Sequence, residues 1–222
     1  MRIAVLGTGM VGRAIAGRLD ELGHQVCVGT RDVVRTMSPA DTQGSFAEWA
    51  SDHPGILVAT FADAAAASDM VVNATSGQVS LAALRDAGSQ NLDGKVLVDI
   101  SNPLDFSNGF PPTLFVKDTD SLGEQIQAEF PGTLVVKTLN TLTADLMVHP
   151  VALGSGDHTV FVGGNDAGAK AAVTELLRSF GHTDVLDLGD ISTSRGTEMF
   201  LPLWLRTMGA LGTAMFNIKV VR

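Results

Sequence analysis

Short apolar runs of four to seven residues recur along the chain at 3–6, 25–29, 56–59, 70–75, 95–100, 133–139, 160–164 and 184–188. Segments with helical spacing of apolar positions lie between most of them, at 10–22, 61–68, 79–87, 121–130 and 166–180. The runs are continuous rather than alternating, as in strands covered on both faces. The pattern therefore predicts an α/β protein, a Rossmann-type doubly wound and mostly parallel sheet of about eight strands. Ser121, with Glu124 three residues on, is a capping signal for the fourth helix. Residues 37–55 read as a loop with one amphipathic piece, where Phe46 and Trp49 share a face suited to covering core. The loop at 105–112, rich in Gly, Pro and Asn, suits a substrate rim.

After residue 194 the pattern changes. Met199, Phe200, Leu201, Leu203, Trp204, Leu205, Met208, Leu211, Met215 and Phe216 go almost all round one helix, which Pro202 would kink or begin. Such a helix must be covered on every side, either by the monomer's own core or by a second subunit, and a homodimer is expected. The expected organisation is a nucleotide-binding domain over 1–190, its nucleotide part mainly 1–140, and a carboxy-terminal helical segment over 191–222.

The chemistry begins at the first strand. Ile3 to Leu6 runs into Gly7-Thr8-Gly9-Met10-Val11-Gly12 and then into a helix, the strand–turn–helix context of a dinucleotide-binding fingerprint. Gly7 would allow the tight turn, Gly9 the approach of a pyrophosphate, and Gly12 close packing of helix on strand. The tip of the second strand carries Gly29, Thr30 and Arg31, with Arg35 one helical turn later. A hydroxyl and a guanidinium suit the 2′-phosphate of NADP; the competing reading makes Asp32 the ligand of an NAD ribose. The next strand tips end in Asn73-Ala74-Thr75-Ser76, Ser101-Asn102 and Asn140-Thr141. Carboxyl ends of parallel strands are where ligands sit, although Asn, Ser and Thr also simply stop strands.

A net charge of -9 argues against sequence-independent nucleic-acid binding, which needs clustered Lys and Arg. The single cysteine, Cys27, rules out an internal disulfide framework and suits a small core residue in a strand. With an apolar run starting at residue 3, no room is left for a signal peptide, and the apolar stretch at 207–218 is too short to span a bilayer. A cytoplasmic protein without membrane contact is expected. No cluster has metal-ligand spacing.

Reductases of alcohols need a proton donor beside the nicotinamide. The five histidines fall in expected loops or helix ends, and the chain has no tyrosine. Lys137 alone could be offered, and a strand lysine is expected to face outward or pair with a carboxylate. Hydride passing between two planar rings needs positioning rather than a proton donor. The missing set therefore favours a second redox cofactor as substrate.

The chain resembles the NADPH-dependent coenzyme F420 reductase family (F420H2:NADP oxidoreductase), whose relatives include the cytosolic domain of the STEAP metalloreductases. The resemblance rests on residues 3–9 with Gly12, on Val28-Gly29-Thr30-Arg31, on residues 135–141, and on Ser192-Thr193-Ser194-Arg195 with Leu201-Pro202-Leu203. It implies that Thr8, Gly9, Met10 and Val11 line the pyrophosphate turn and that Thr30, Arg31 and Arg35 hold the 2′-phosphate. It also implies that Asn73, Ala74, Thr75, Asn140 and Thr141 flank the nicotinamide and a stacked deazaflavin or flavin, and that the carboxy-terminal part closes that second pocket and joins a dimer. Asn140-Thr141-Leu142-Thr143 departs from the archaeal enzymes towards the metalloreductase version, and the 105–112 loop looks long. The expected activity is NADP-dependent hydride transfer to or from a deazaflavin or flavin. A non-catalytic NADP sensor and an imine or β-hydroxyacid reductase are the alternatives.

Overall fold

The computed structural model describes residues 1–38 and 44–222. Five residues of the loop expected over 37–55 lie outside it. The chain opens with β1 (Arg2–Leu6), α1 (Met10–Glu21) and β2 (Gln25–Thr30), followed by the short α2 (Val33–Met37) and α3 (Phe46–Ser51). Next come β3 (Leu57–Thr60), α4 (Phe61–Ala67), β4 (Met70–Asn73), α5 (Gly77–Ala87), α6 (Ser89–Leu92) and β5 (Val96–Asp99). The second half holds β6 (Leu104–Asp105), β7 (Thr113–Leu114), α7 (Leu122–Glu129), β8 (Leu134–Thr138) and α8 (Ala144–Val148). It ends with β9 (Thr159–Gly164), α9 (Ala167–Phe180), β10 (Asp184–Asp187), α10 (Ser194–Met199) and α11 (Leu201–Leu211).

Eight strands form one sheet in the order β10-β9-β8-β5-β4-β1-β2-β3. All neighbours are parallel except β8 and β9, which run antiparallel. Side chains alternate across the strands, so each face has its own core. Ile3 and Val5 join Ile15 and Leu19 of α1, Leu146 and Met147 of α8 and Val173 and Leu177 of α9. Ala4 and Leu6 join Ala64 of α4, Leu84 of α5 and Ile126 of α7 on the other face. Phe46 and Trp49 pack against the first core, and Cys27 is half-buried against the second. The expected cap forms, Ser121 accepting from Glu124 N at 3.1 Å; Asp166 caps α9 in the same way, accepting from Ala169 N at 2.7 Å.

Two segments differ from the reading of the sequence. The loop at 105–112 is the tip of a small antiparallel ribbon, in which Leu104 pairs with Leu114 and Asp105 with Thr113. The carboxy-terminal segment is not one helix. It breaks at Phe200 into α10 and α11, Pro202 sits in the first turn of α11, and Gly212 ends that helix in the left-handed conformation. Met215 and Phe216, counted on the sequence as part of the apolar helix surface, lie beyond it, and Phe216 stacks on Trp204 at 5.3 Å. The last residues run beside β9, where Thr159 N donates to Ile218 O at 2.9 Å. Only Leu201 of α11 is buried; Leu203 is 61% exposed and Leu211 57%. Among the described residues, no helix is long and apolar enough to cross a membrane.

Candidate functional site at the strand tips

β1 ends at Leu6 and α1 must begin by Met10, so the chain reverses within three residues. Gly7 does this at φ +121, and a Cβ there would lie 2.6 Å from the Ala74 carbonyl oxygen. Gly7 N donates to Gly29 O at 3.1 Å, which ties the turn to the tip of β2. Gly12 is where α1 rests on the turn, since a Cβ would fall 2.1 Å from the Gly7 carbonyl oxygen. Gly9, the N-cap of α1, has ordinary extended backbone, and its Cβ would meet nothing within 4 Å. No side chain caps α1. Its first N–H groups and positive dipole end therefore open onto free space, the arrangement that takes a phosphate.

At the tip of β2, Thr30 is buried with its Oγ1 2.7 Å from Thr36 Oγ1. Asp32 spends a carboxylate oxygen on the N-cap of α2, accepting from Arg35 N at 3.0 Å. Arg31 and Arg35 are exposed. The carboxylate that competed for the ribose is thus a cap, and two exposed guanidinium groups at this edge have no ion-pair partner among the described residues.

Between the tips of β1, β4 and β5 lies a cleft of about 170 Å³. Val11 of α1, Ala74 to Gly77 after β4, and Ile100 to Asn102 after β5 line it, with Leu104 and Phe106 from the ribbon. Thr75 is held there by Asn73. The Asn73 side chain is fully buried, accepts from Thr75 Oγ1 at 2.7 Å, and donates to Asp99 Oδ1 at 2.9 Å and Ser80 Oγ at 3.1 Å. It stands behind the cleft wall and fixes Thr75 within it. Asn102 and Asn140 bond reciprocally: Asn102 Nδ2 donates to Asn140 O at 2.9 Å and Asn140 Nδ2 to Asn102 Oδ1 at 3.0 Å. Asn140 Nδ2 also reaches Thr197 O of α10 at 3.0 Å. Asn140 and Thr141 are almost wholly buried, so only Asn102 of these three residues faces the cleft.

Lys137 does not face outward. At 2% exposure it lies inside the sheet's end, pairing with Asp99 Oδ2 and Glu198 Oε1 at 2.8 Å each and donating to Ser101 O at 2.6 Å. The expected carboxylate pairing is found, with two carboxylates rather than one. Burial pushes the Lys137 ammonium pKa down, and the Asp99 and Glu198 charges more than offset that, leaving it above the ordinary lysine value. Glu198 also accepts from Leu122 N at 2.8 Å and Gly123 N at 3.0 Å, the first turn of α7. One cluster thus locks β5, β8, α7 and α10 together directly behind the cleft. The histidines are elsewhere: His158 and His182 are buried against the carbonyls of Pro150 and Met147.

The family model described as NADP oxidoreductase, coenzyme F420-dependent, matches residues 2–103, which hold the glycine turn, the β2 tip and all of the cleft lining but Leu104 and Phe106. The crystal structure of a putative F420-dependent NADP reductase from Arthrobacter sp. FB24 is 60% identical, with a TM-score of 0.97 and full coverage of both chains. The chain belongs to the F420-dependent NADP reductase family. It is also 28% identical over 207 residues to the F420-dependent NADP reductase of Methanothermobacter marburgensis, covering 91% of this chain and 90% of the relative. Metalloreductase STEAP3 of Rattus norvegicus is 31% identical over 220 residues; the match covers 95% of this chain and only 39% of the rat protein.

As a member of this family the protein is an NADP-dependent oxidoreductase, and the geometry sorts the residues singled out from its sequence. Gly7, Thr8, Gly9, Met10, Val11 and Gly12 form the turn and first helical turn; Thr30, Arg31 and Arg35 form the β2 edge; Ala74, Thr75 and Asn102 line the cleft. Asn73, Asn140 and Thr141 stand behind it. Reading the sequence missed Gly77, Ile100 and Leu104 in the lining, and Asp99 and Glu198 behind it, whereas Phe106 belongs to the 105–112 loop expected as a substrate rim. Ile100 had a signal, as the last residue of a strand tip. Glu198 had none, because its partner Lys137 is remote in sequence and joined only through the fold.

Proposed function

We propose that the protein transfers hydride between NADP(H) and a planar redox ring of the deazaflavin (coenzyme F420) or flavin class. The observation that carries this is the cleft lining. Among the described residues it is made of small polar, glycine and apolar side chains, with no titratable group. Such a wall orients a ring and excludes water, and it offers no proton to a developing alkoxide. Lys137, the one candidate donor for an imine or β-hydroxyacid reductase, is turned away from the lining and held by two carboxylates.

The residues present fit the cofactor. The space beyond Gly9 and the uncapped start of α1 would receive the pyrophosphate, with Thr8, Met10 and Val11 around it. Thr30, Arg31 and Arg35 would hold the 2′-phosphate. Ala74, Thr75 and Asn102 would border the nicotinamide, with Asn73, Asn140 and Thr141 fixing their positions. When bound, the nicotinamide supplies or accepts the hydride; the chain supplies orientation and a dry wall. In this reading the exposed apolar face of α11, with Leu203 and Leu211, covers the second ring and meets another copy of the chain in a homodimer in the reducing cytoplasm.

The test is anaerobic mixing of the protein and NADPH with coenzyme F420, FMN or FAD in turn, following NADPH absorbance. Turnover with at least one acceptor is expected. Tight NADPH binding with no turnover of any of them would replace this reading with that of a sensor. For the cofactor edge, Arg31→Ala should weaken NADPH binding by about 1.5–3 kcal/mol, the worth of a charge-assisted contact, while leaving NADH binding nearly unchanged. Equal losses for the two cofactors in calorimetric titrations would remove Arg31 from the phosphate site.

A further inference from the structure

The cluster behind the cleft does not balance its own charge. Lys137 brings one positive charge and Asp99 and Glu198 one negative charge each, and all three residues are at most 2% exposed. Their partners are donors throughout. Asp99 accepts from Asn73 Nδ2, Ser101 N, Ser101 Oγ and Lys137 Nζ. Glu198 accepts from Leu122 N, Gly123 N and Lys137 Nζ. These are the surroundings of two carboxylate anions, so one negative charge remains in a region where unbalanced charge is costly. The start of α7 answers part of it on the Glu198 side. Ser101, which lines the wall, bonds both charges: its N and Oγ donate to Asp99 Oδ1 and its carbonyl oxygen accepts from Lys137 Nζ.

We propose that this excess charge discriminates between the oxidation states of the cofactor, with Asp99 favouring the cationic ring of NADP+ over the neutral ring of NADPH. The inference rests on the reading above that the nicotinamide enters this cleft. When a hydride (two electrons and one proton) adds to the ring, the ring's positive charge disappears. A fixed carboxylate behind the wall then loses an attractive partner, whichever ring delivered the hydride. The bound NADP couple therefore has a lower reduction potential than the free one, and bound NADPH is the stronger hydride donor. In a site of effective dielectric about 20, one unit charge within a side chain's reach of the ring changes the preference by roughly tenfold.

The experiment compares dissociation constants for NADP+ and NADPH in the intact protein and in Asp99→Asn and Glu198→Gln, each variant retaining Lys137 and one carboxylate. Asp99→Asn should raise the ratio of the NADP+ constant to the NADPH constant by roughly tenfold. Glu198→Gln should move it in the same direction by less, because Glu198 bonds no residue of this lining whereas Asp99 accepts from Ser101; it also serves if Asp99→Asn folds poorly. A purely structural role would weaken both forms by one factor, and a ratio unmoved in the folded variants would overturn the proposal. The fluorescence of NADPH keeps the two readings apart. If binding leaves the ring's emission as in water, the placement of the nicotinamide fails; if the emission changes and the ratio stays fixed, only the charge proposal fails.

Discussion

Replacing Lys137 with Met is expected to destabilise the protein by about 3–5 kcal/mol, the cost of leaving buried carboxylates without their cation. In a chain of this size that corresponds to a melting temperature lower by roughly 6–20 °C. Met matches the lysine stem in length, so little packing is lost and the effect isolates the charge. Asp99 would keep its bonds from Asn73 and Ser101, and Glu198 those from α7, but neither would have an opposite charge. Adding Asp99→Asn and Glu198→Gln to the same variant removes both stranded charges and should restore much of the loss. Thermal and urea melts of the three proteins check this. A single variant that melts within a degree or two of the parent would mean that water or protonation already relieves the cluster.

The second large effect is expected at Gly12, with Gly9 as its counterpart. A Cβ at Gly12 would lie 2.1 Å from the Gly7 carbonyl oxygen, a backbone atom that cannot swing aside. Gly12→Ala must push α1 off the turn, costing about 3 kcal/mol of stability at the upper end of overpacking effects. It should weaken NADPH binding at least tenfold, about 1.4 kcal/mol, because the helix start no longer points at the same place. Gly9→Ala meets nothing within 4 Å, and its backbone conformation suits any residue. Its melting temperature should therefore stay within about 2 °C of the parent, since surface changes of this kind fall within about 0.5 kcal/mol. Its NADPH affinity should nevertheless fall, because the added methyl occupies the space assigned to the pyrophosphate. Melting curves and NADPH titrations of both variants give the comparison. Undiminished affinity in Gly9→Ala would move the pyrophosphate away from this turn.

The same contrast between local and remote causes separates what could be read early from what could not. Every strand of the main sheet was visible as an apolar run; the inner ones are covered on both faces and have no polar alternation to hide them, while the edge strands β3 and β10 are only partly covered. The glycine turn was visible because each glycine answers a constraint within a few residues or at the adjoining strand tip: a positive φ, a close approach, an open approach path. The edge after β2 was legible for the same reason, Thr30, Arg31 and Asp32 being neighbours in sequence. The carboxy-terminal segment misled because periodicity continues across Phe200 and Gly212, where the helix does not. Apolar composition there reflected a helix half exposed and a strap beyond it.

The sequence by itself determined the fold class and the glycine turn, since these depend on residues close along the chain; it left Asp32 as a rival at the ribose, and the structure makes that carboxylate the cap of α2. Only the tertiary structure decided which polar residues face the cleft. Asn73, Thr75, Asn102 and Asn140 look alike as strand-ending residues. Yet Asn73 and Asn140 are buried and bonded to Asp99 and to Thr197 of α10, whereas Thr75 and Asn102, which they hold in place, line the cleft. Lys137 carried the largest difference. Its charge is neutralised by Asp99 from the adjacent strand and by Glu198 from a helix near the end of the chain, and no spacing along the sequence encodes that meeting. Burial and partnership are properties of the packed molecule, and they place the buried charge of this site behind the cleft wall.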